Sequence, residues 1–240
     1  MSAQPQGMPA TPTMPVVDHP REVRGRFMAR VYGLVMAGIA AFIGMQYLMF
    51  AYGFAQFMAE LIVQTNWLLL LGGFMVVSWM ANNLGIKART RAGQWGGYLL
   101  LIGANAVLFT GVLFMAHALG QADPAYEGII SQAAWLSILA FAGLSFIALT
   151  TGKDFSFLRG FLMWGGVLAL VLIVGGVVFG TGLGMWFSVA MVGFAGAAIL
   201  YSTQQVYRTY PPEAEIPAAM NLFSSIALLF WYVLQILMRR

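Results

Sequence analysis

The residues best suited to chemistry gather in three places. Ser202, Thr203, Gln204 and Gln205 close a long apolar run, within the stretch ILYSTQQVY. Asn221, Ser224 and Ser225 lie in the first half of the apolar run that follows. Lys153 and Asp154 sit in TTGKDFSFLRG, between two other such runs. Buried hydroxyls and amides can hydrogen-bond between helices, for about 0.6–2 kcal/mol per contact, or line a water-filled cavity. Uncharged as they are, the first two clusters read as packing groups. The third reads as a helix start: Asp154 or Ser156 can accept from the orphan amides of the next helix, and Asp154 suits the positive end of its dipole.

Other chemistries lack their groups. The chain has no cysteine, which removes disulfides and thiol catalysis, and its two histidines, His19 and His117, are far apart. No nucleophile–base pair and no phosphate-binding glycine loop occurs. The expectation is a protein with no catalytic residue, no cofactor and no metal, one that is not an enzyme and does not bind nucleic acid.

These polar groups must be positioned inside a membrane. Of the 240 residues, 60% are hydrophobic and 8% charged, where soluble domains carry about 25% charged residues. Mean hydropathy is +0.81. A spanning helix needs about 20 mostly apolar residues. Seven such runs occur, at 31–52, 67–84, 96–117, 129–150, 158–180, 185–206 and 217–238. They are continuously apolar and do not alternate, so a membrane β-barrel is not expected. The fold class is an all-α integral membrane protein of seven transmembrane helices in contact with the lipid bilayer. Residues 1–20 hold five of the nine prolines and no apolar signal-peptide core, and read as a disordered tail ahead of a membrane domain over 21–240.

Lys and Arg set the orientation. Arg21, Arg24, Arg26 and Arg30 precede the first run; Lys87, Arg89 and Arg91 fill the second loop; Lys153 and Arg159 the fourth; Arg208 the sixth. The first, third and fifth loops have neither, carrying Glu60, Asp123 and Glu127 instead. By the positive-inside rule the N-terminus is cytoplasmic. Arg239 and Arg240 then fall on the wrong side if the last helix crosses fully, or on the right side if it re-enters; seven full spans is the preferred reading.

Intramembrane charge is costly and marks function by default. No run has Asp, Glu, Lys or Arg near its centre. His117 reads as interfacial. The remaining polar groups are Asn82, Asn83, Asn105, Thr110 and the two clusters already named. About ten residues join the sixth and seventh runs, making them antiparallel neighbours, so Ser202 and Ser225 could face one another. Gly176-x-x-x-Gly180 and Gly193-x-x-x-Ala197 offer close helix approach, and Trp67, Trp95, Trp135, Trp186 and Trp231 suggest aromatic belts.

Four segments in order resemble the Bax inhibitor-1 family, the transmembrane Bax inhibitor motif proteins, and within it the bacterial YccA-like members. They are FMARVYGLVMAGI, TGKDFSFLRGFL, AILYSTQQVY and IPAAMNLFSSIALLFWYVLQIL. The similarity covers roughly residues 22–240. It implies a bundle whose last helix is central and surrounded by the other six. It implies a calcium leak in some members, gated by pH through two aspartates that fall here on Ser202 and Ser225. Two hydroxyls cannot share a titrating proton as a carboxylate pair does. The resemblance also implies a link to a membrane-anchored AAA protease in the bacterial inner membrane. The expected function is regulation of membrane proteostasis, with a calcium or cation leak as the alternative.

Overall fold

A computed structural model of the chain describes residues 14–64, 67–88, 90–180 and 183–239. The expectations for residues 1–13, Arg89 and Arg240 fall outside these. The described residues form eight α-helices: α1 (Arg21–Ala51), α2 (Phe54–Gln64), α3 (Trp67–Lys87), α4 (Arg91–Ala122), α5 (Ile129–Thr150), α6 (Leu158–Val178), α7 (Gly184–Thr209) and α8 (Glu215–Leu237). Seven are long and apolar enough to cross a membrane.

The eighth, α2, lies within the segment that the sequence marks as the first loop. It follows α1 through Gly53, whose φ of +74° is open to glycine and strained for other residues. Its Ala55, Met58 and Ala59 are buried while Phe57 is exposed, and it packs on α4 and α1.

The N-terminal boundary also moves. The basic segment 21–30 is the first part of α1, not a flank to it. Residues 16–18 form a short 3-10 turn, Val16 is fully buried, and its amide donates to the Tyr210 carbonyl at 2.8 Å. The part of the expected tail from Met14 onward is therefore held against the end of α7.

The helices turn apolar side chains outward as well as inward. Trp164, Phe179 and Leu69 are all at least 70% exposed, as a bilayer solvent requires. What distinguishes the interior is tight packing. α8 is central, contacting α1, α3, α4, α5 and α7. The sixth neighbour, α6, is the most loosely held: it lies against α7, touches α3 sparsely, and its one buried residue, Ala169, joins a cluster with Met191 of α7 and Tyr232 of α8.

The closest helix approach is not at the glycine pairs singled out in the sequence. A Cβ added at Gly180 or Gly193 would meet nothing within 4 Å. One added at Gly97 would strike the backbone of Gly85, with the Ala81 carbonyl oxygen at 2.7 Å, and one at Gly85 would strike Met220. α3, α4 and α8 meet there. Trp231 likewise is no belt residue: its ring stands edge-on to Phe109, with centroids 4.9 Å apart.

α8 traverses the whole bundle. At one end Glu215 accepts from Arg91 at 3.2 Å and faces Arg30 at 3.7 Å. At the other, the Arg239 guanidinium donates to the carbonyl of Gly184, the first residue of α7, at 2.8 Å. The last helix is therefore a full crossing and does not re-enter. Lys87, Arg91, Lys153 and Arg208 share the Glu215 end, called here the basic end.

Candidate functional site

Successive helical residues are turned by about 100°. Ser202, Thr203 and Gln204 therefore leave α7 in three directions, and the structure uses each one differently. The Ser202 Oγ lies 3.0 Å from the Ser225 Oγ on α8, with both residues buried. Ser225 also donates to the Asn221 carbonyl at 3.1 Å, so Ser202 is the donor between the two hydroxyls. Gln205, one turn along on the same face, accepts from the Asn221 amide at 3.3 Å. Two polar rungs thus join α7 to α8.

Thr203 turns to α5, where its hydroxyl meets the Ser145 hydroxyl at 3.4 Å. Gln204 turns to the loop between α5 and α6. Its Nε2 donates to the Lys153 carbonyl at 2.6 Å, and its Oε1 accepts from the Phe155 amide at 2.7 Å. A primary amide matches the peptide group on both sides, so one side chain satisfies two backbone groups of an irregular loop. Ser224 turns away from this network; it donates to the Met220 carbonyl at 3.0 Å and lines a separate cleft. The polar residues grouped by sequence are thus not one site.

Lys153 enters the arrangement through its main chain. Asp154 does not cap α6, whose N-cap is Phe157 with no side-chain hydrogen bond. It caps the turn before the helix, accepting from the Ser156 amide at 3.0 Å and the Ser156 hydroxyl at 3.1 Å. These bonds, and Arg208 at 3.5 Å, hold its carboxyl below the usual range, the backbone bond contributing most.

Clefts in the bundle include two among the described residues. One, of about 840 Å³, runs among α3, α4, α6, α7 and α8. The other, of about 700 Å³, lies among α1, α4, α5 and α8 beside His117 and Gln46. Neither is lined by Ser202 or Ser225. The hydroxyl pair is enclosed by packed helices.

Several structural residues carry little signal in the sequence. Glu215 sits in a proline-rich linker but is the carboxylate, 10% exposed, that joins α1 and α4 to α8 through Arg30 and Arg91. Gln46 donates to the Ala106 carbonyl at 2.8 Å, and its Oε1 lies 3.0 Å from the Thr110 hydroxyl, which also reaches the Ala106 carbonyl at 2.6 Å, joining α1 to α4. Arg24 donates to the Tyr207 hydroxyl at 2.7 Å. An acid just ahead of an apolar run is the one cue that could have raised Glu215.

Seven spans, the last of them central, joined by uncharged polar rungs, define a polytopic helical membrane protein. The chain belongs to the Bax inhibitor-1 family: the family model described as inhibitor of apoptosis-promoting Bax1 matches residues 24–240. An uncharacterized protein of Pseudomonas aeruginosa is 36% identical over 134 residues, covering 51% of this chain and 58% of its own. An uncharacterized membrane protein of Vibrio cholerae is 33% identical over 141 residues, covering 54% and 60%. An uncharacterized protein of Campylobacter jejuni is 37% identical over 124 residues, covering 48% and 49%. The matched stretch spans about half to three fifths of the length of these relatives.

Proposed function

We propose that this protein is a non-enzymatic regulator of membrane proteostasis that acts by binding a membrane-anchored AAA protease. In this reading it lies in the cytoplasmic membrane of a bacterium, with its N-terminus and basic end in the cytoplasm. The observation that carries the reading is the enclosed Ser202–Ser225 pair. Its hydroxyls do not titrate near neutral pH, offer a cation no charge and open onto neither cleft. The alternative, a calcium or cation leak lacking the family's two-aspartate pH sensor, would pass an uncharged polar gate at these two serines, whereas calcium prefers carboxylate-rich oxygen ligands. The anchoring of Val16 on Tyr210 supports the interaction reading, because it holds the start of the described chain at the basic end, the side this reading gives to a cytoplasmic partner.

Affinity purification from native membranes, with the full chain and with a chain lacking residues 1–13, tests the proposal. The protease is expected with the full chain and depleted with the shortened one. Its absence from both overturns the reading. Vesicles loaded with a calcium dye test the alternative; flux above that of empty vesicles across the neutral pH range would favour the leak.

A further inference from the structure

The cleft among α3, α4, α6, α7 and α8 carries a feature that the interaction reading does not use. Its volume of about 840 Å³ lies within the range of ligand pockets, roughly 300–1,000 Å³. α6 forms one wall with Ile173 and Val177, and meets α3 across it only sparsely. The walls are mainly apolar, yet Ser78, Asn82, Asn105 and Ser224 all line this one space.

The helix register places these four together. α3 runs antiparallel to α4 and α8, and the three meet where Gly85 touches Gly97 and Met220. Moving inward from that contact, Asn82 on α3 and Ser224 on α8 each lie about one turn deeper. Ser78 on α3 and Asn105 on α4 each lie about two turns deeper. Three helices thus place polar side chains within two adjacent layers of the cleft.

Their hydrogen bonding is incomplete in a specific way. The Asn82 amide donates to the Ser78 carbonyl and the Asn105 amide to the Leu101 carbonyl, each at 2.8 Å and each within its own helix. Ser224 likewise donates within its helix. The acceptor oxygens of these three are left available to the cleft. The Ser78 hydroxyl is buried and has no partner, although serines in such helices commonly donate to the carbonyl four residues back, as Ser137 does here. An unmet buried donor is costly in an apolar setting. The cleft therefore offers an unmet Ser78 hydroxyl, the second N–H of the Asn82 and Asn105 amides and several acceptor oxygens, all uncharged, in an apolar slot.

We propose that this cleft binds an amphiphile with an uncharged, hydroxyl-bearing head and an apolar tail. The head hydroxyl accepts from Ser78 and donates to an asparagine or Ser224 oxygen. The tail lies along α6 and leaves toward the bilayer between α3 and α6. A charged headgroup does not fit the floor, which holds no cationic group; the cation lining the cleft, Arg239, is at its far mouth.

Photolabelling of the full chain in phosphatidylcholine vesicles tests this. Three probes of equal length carry a terminal diazirine: a long-chain alcohol, the alkane without the hydroxyl, and the alkyl phosphate. The alcohol is expected to label the α3, α4 and α8 peptides lining the cleft about five-fold above the alkane, a neutral hydrogen bond's worth. Labelling of the lipid-facing α6 surface should be equal for the two. Ser78→Ala removes a hydroxyl that no protein group uses, so the fold is retained, and cleft labelling by the alcohol should fall to the alkane level. Asn105→Leu should lower it likewise. Equal cleft labelling by alcohol and alkane, unchanged labelling in folded Ser78→Ala, or preferential labelling by the alkyl phosphate near Arg239 would each overturn the proposal.

Discussion

The Ser202 hydroxyl on α7 donates to the Ser225 hydroxyl on α8 across 3.0 Å, and the Ser225 hydroxyl in turn donates to the Asn221 carbonyl. The chain of donors is complete without any ionisable group. It needs no proton from solvent, and its strength does not depend on pH.

Replacing both residues, Ser202→Asp with Ser225→Asp, should create the missing dependence. Burial and mutual repulsion raise the titration of a carboxylate pair above the roughly 3.9 of an exposed aspartate. A folded-state pKa above the unfolded value gives stability that is present at low pH and lost as pH rises through the raised value. The melting temperature of the double variant should therefore fall with rising pH, relative to the wild type. Parallel pH profiles would show that the two positions are not coupled.

Gln204 holds the loop between α5 and α6 by two bonds, to Lys153 and Phe155. Gln204→Leu leaves two backbone groups unmet, at about 1–3 kcal/mol. Trypsin cleavage after Lys153, in the intact protein in detergent, should become at least several-fold faster. Gln204→Glu should also release the loop, because it places a carboxylate against the Lys153 carbonyl.

The Glu215 carboxylate is the shared partner of Arg91 at 3.2 Å and Arg30 at 3.7 Å. Glu215→Gln should lower thermal stability by about 1–3 kcal/mol, since a charge-assisted contact at a three-helix junction is lost. Arg91→Ala should cost more than Arg30→Ala, as only Arg91 is within hydrogen-bond reach. Both arginines are largely exposed, so added salt should narrow the difference between variant and wild type.

Neighbouring glycines give a steric test. Gly97→Ala places a methyl against the Gly85 backbone, which cannot yield, and should cost ~1–3 kcal/mol by forcing α3 from α4. A Cβ at Gly96 meets only a Leu84 methyl at 3.7 Å, ordinary contact, so Gly96→Ala should leave the melting temperature near that of the wild type.

The sequence by itself determined the number of spans, the all-helical class and the family, because each is set by local quantities. A bilayer demands about 20 apolar residues per crossing, and a run of that length is visible without knowing its neighbours. The absence of acid at Ser202 and Ser225 is equally a property of single positions. Tertiary structure decided what the polar residues do. Ser202, Thr203 and Gln204 are adjacent in the chain, yet helical rotation sends them to α8, to α5 and to a loop, and only the placement of those partners assigns the roles. Gly97 outranks the spaced pairs Gly176–Gly180 and Gly193–Ala197 for the same reason: close approach is a relation between two helices, and one helix's sequence does not contain it. Glu215 looked like linker until α1 and α4 brought Arg30 and Arg91 to it. The floor of Ser78, Asn82, Asn105 and Ser224 is made by the register of three helices whose contributions lie far apart in the chain.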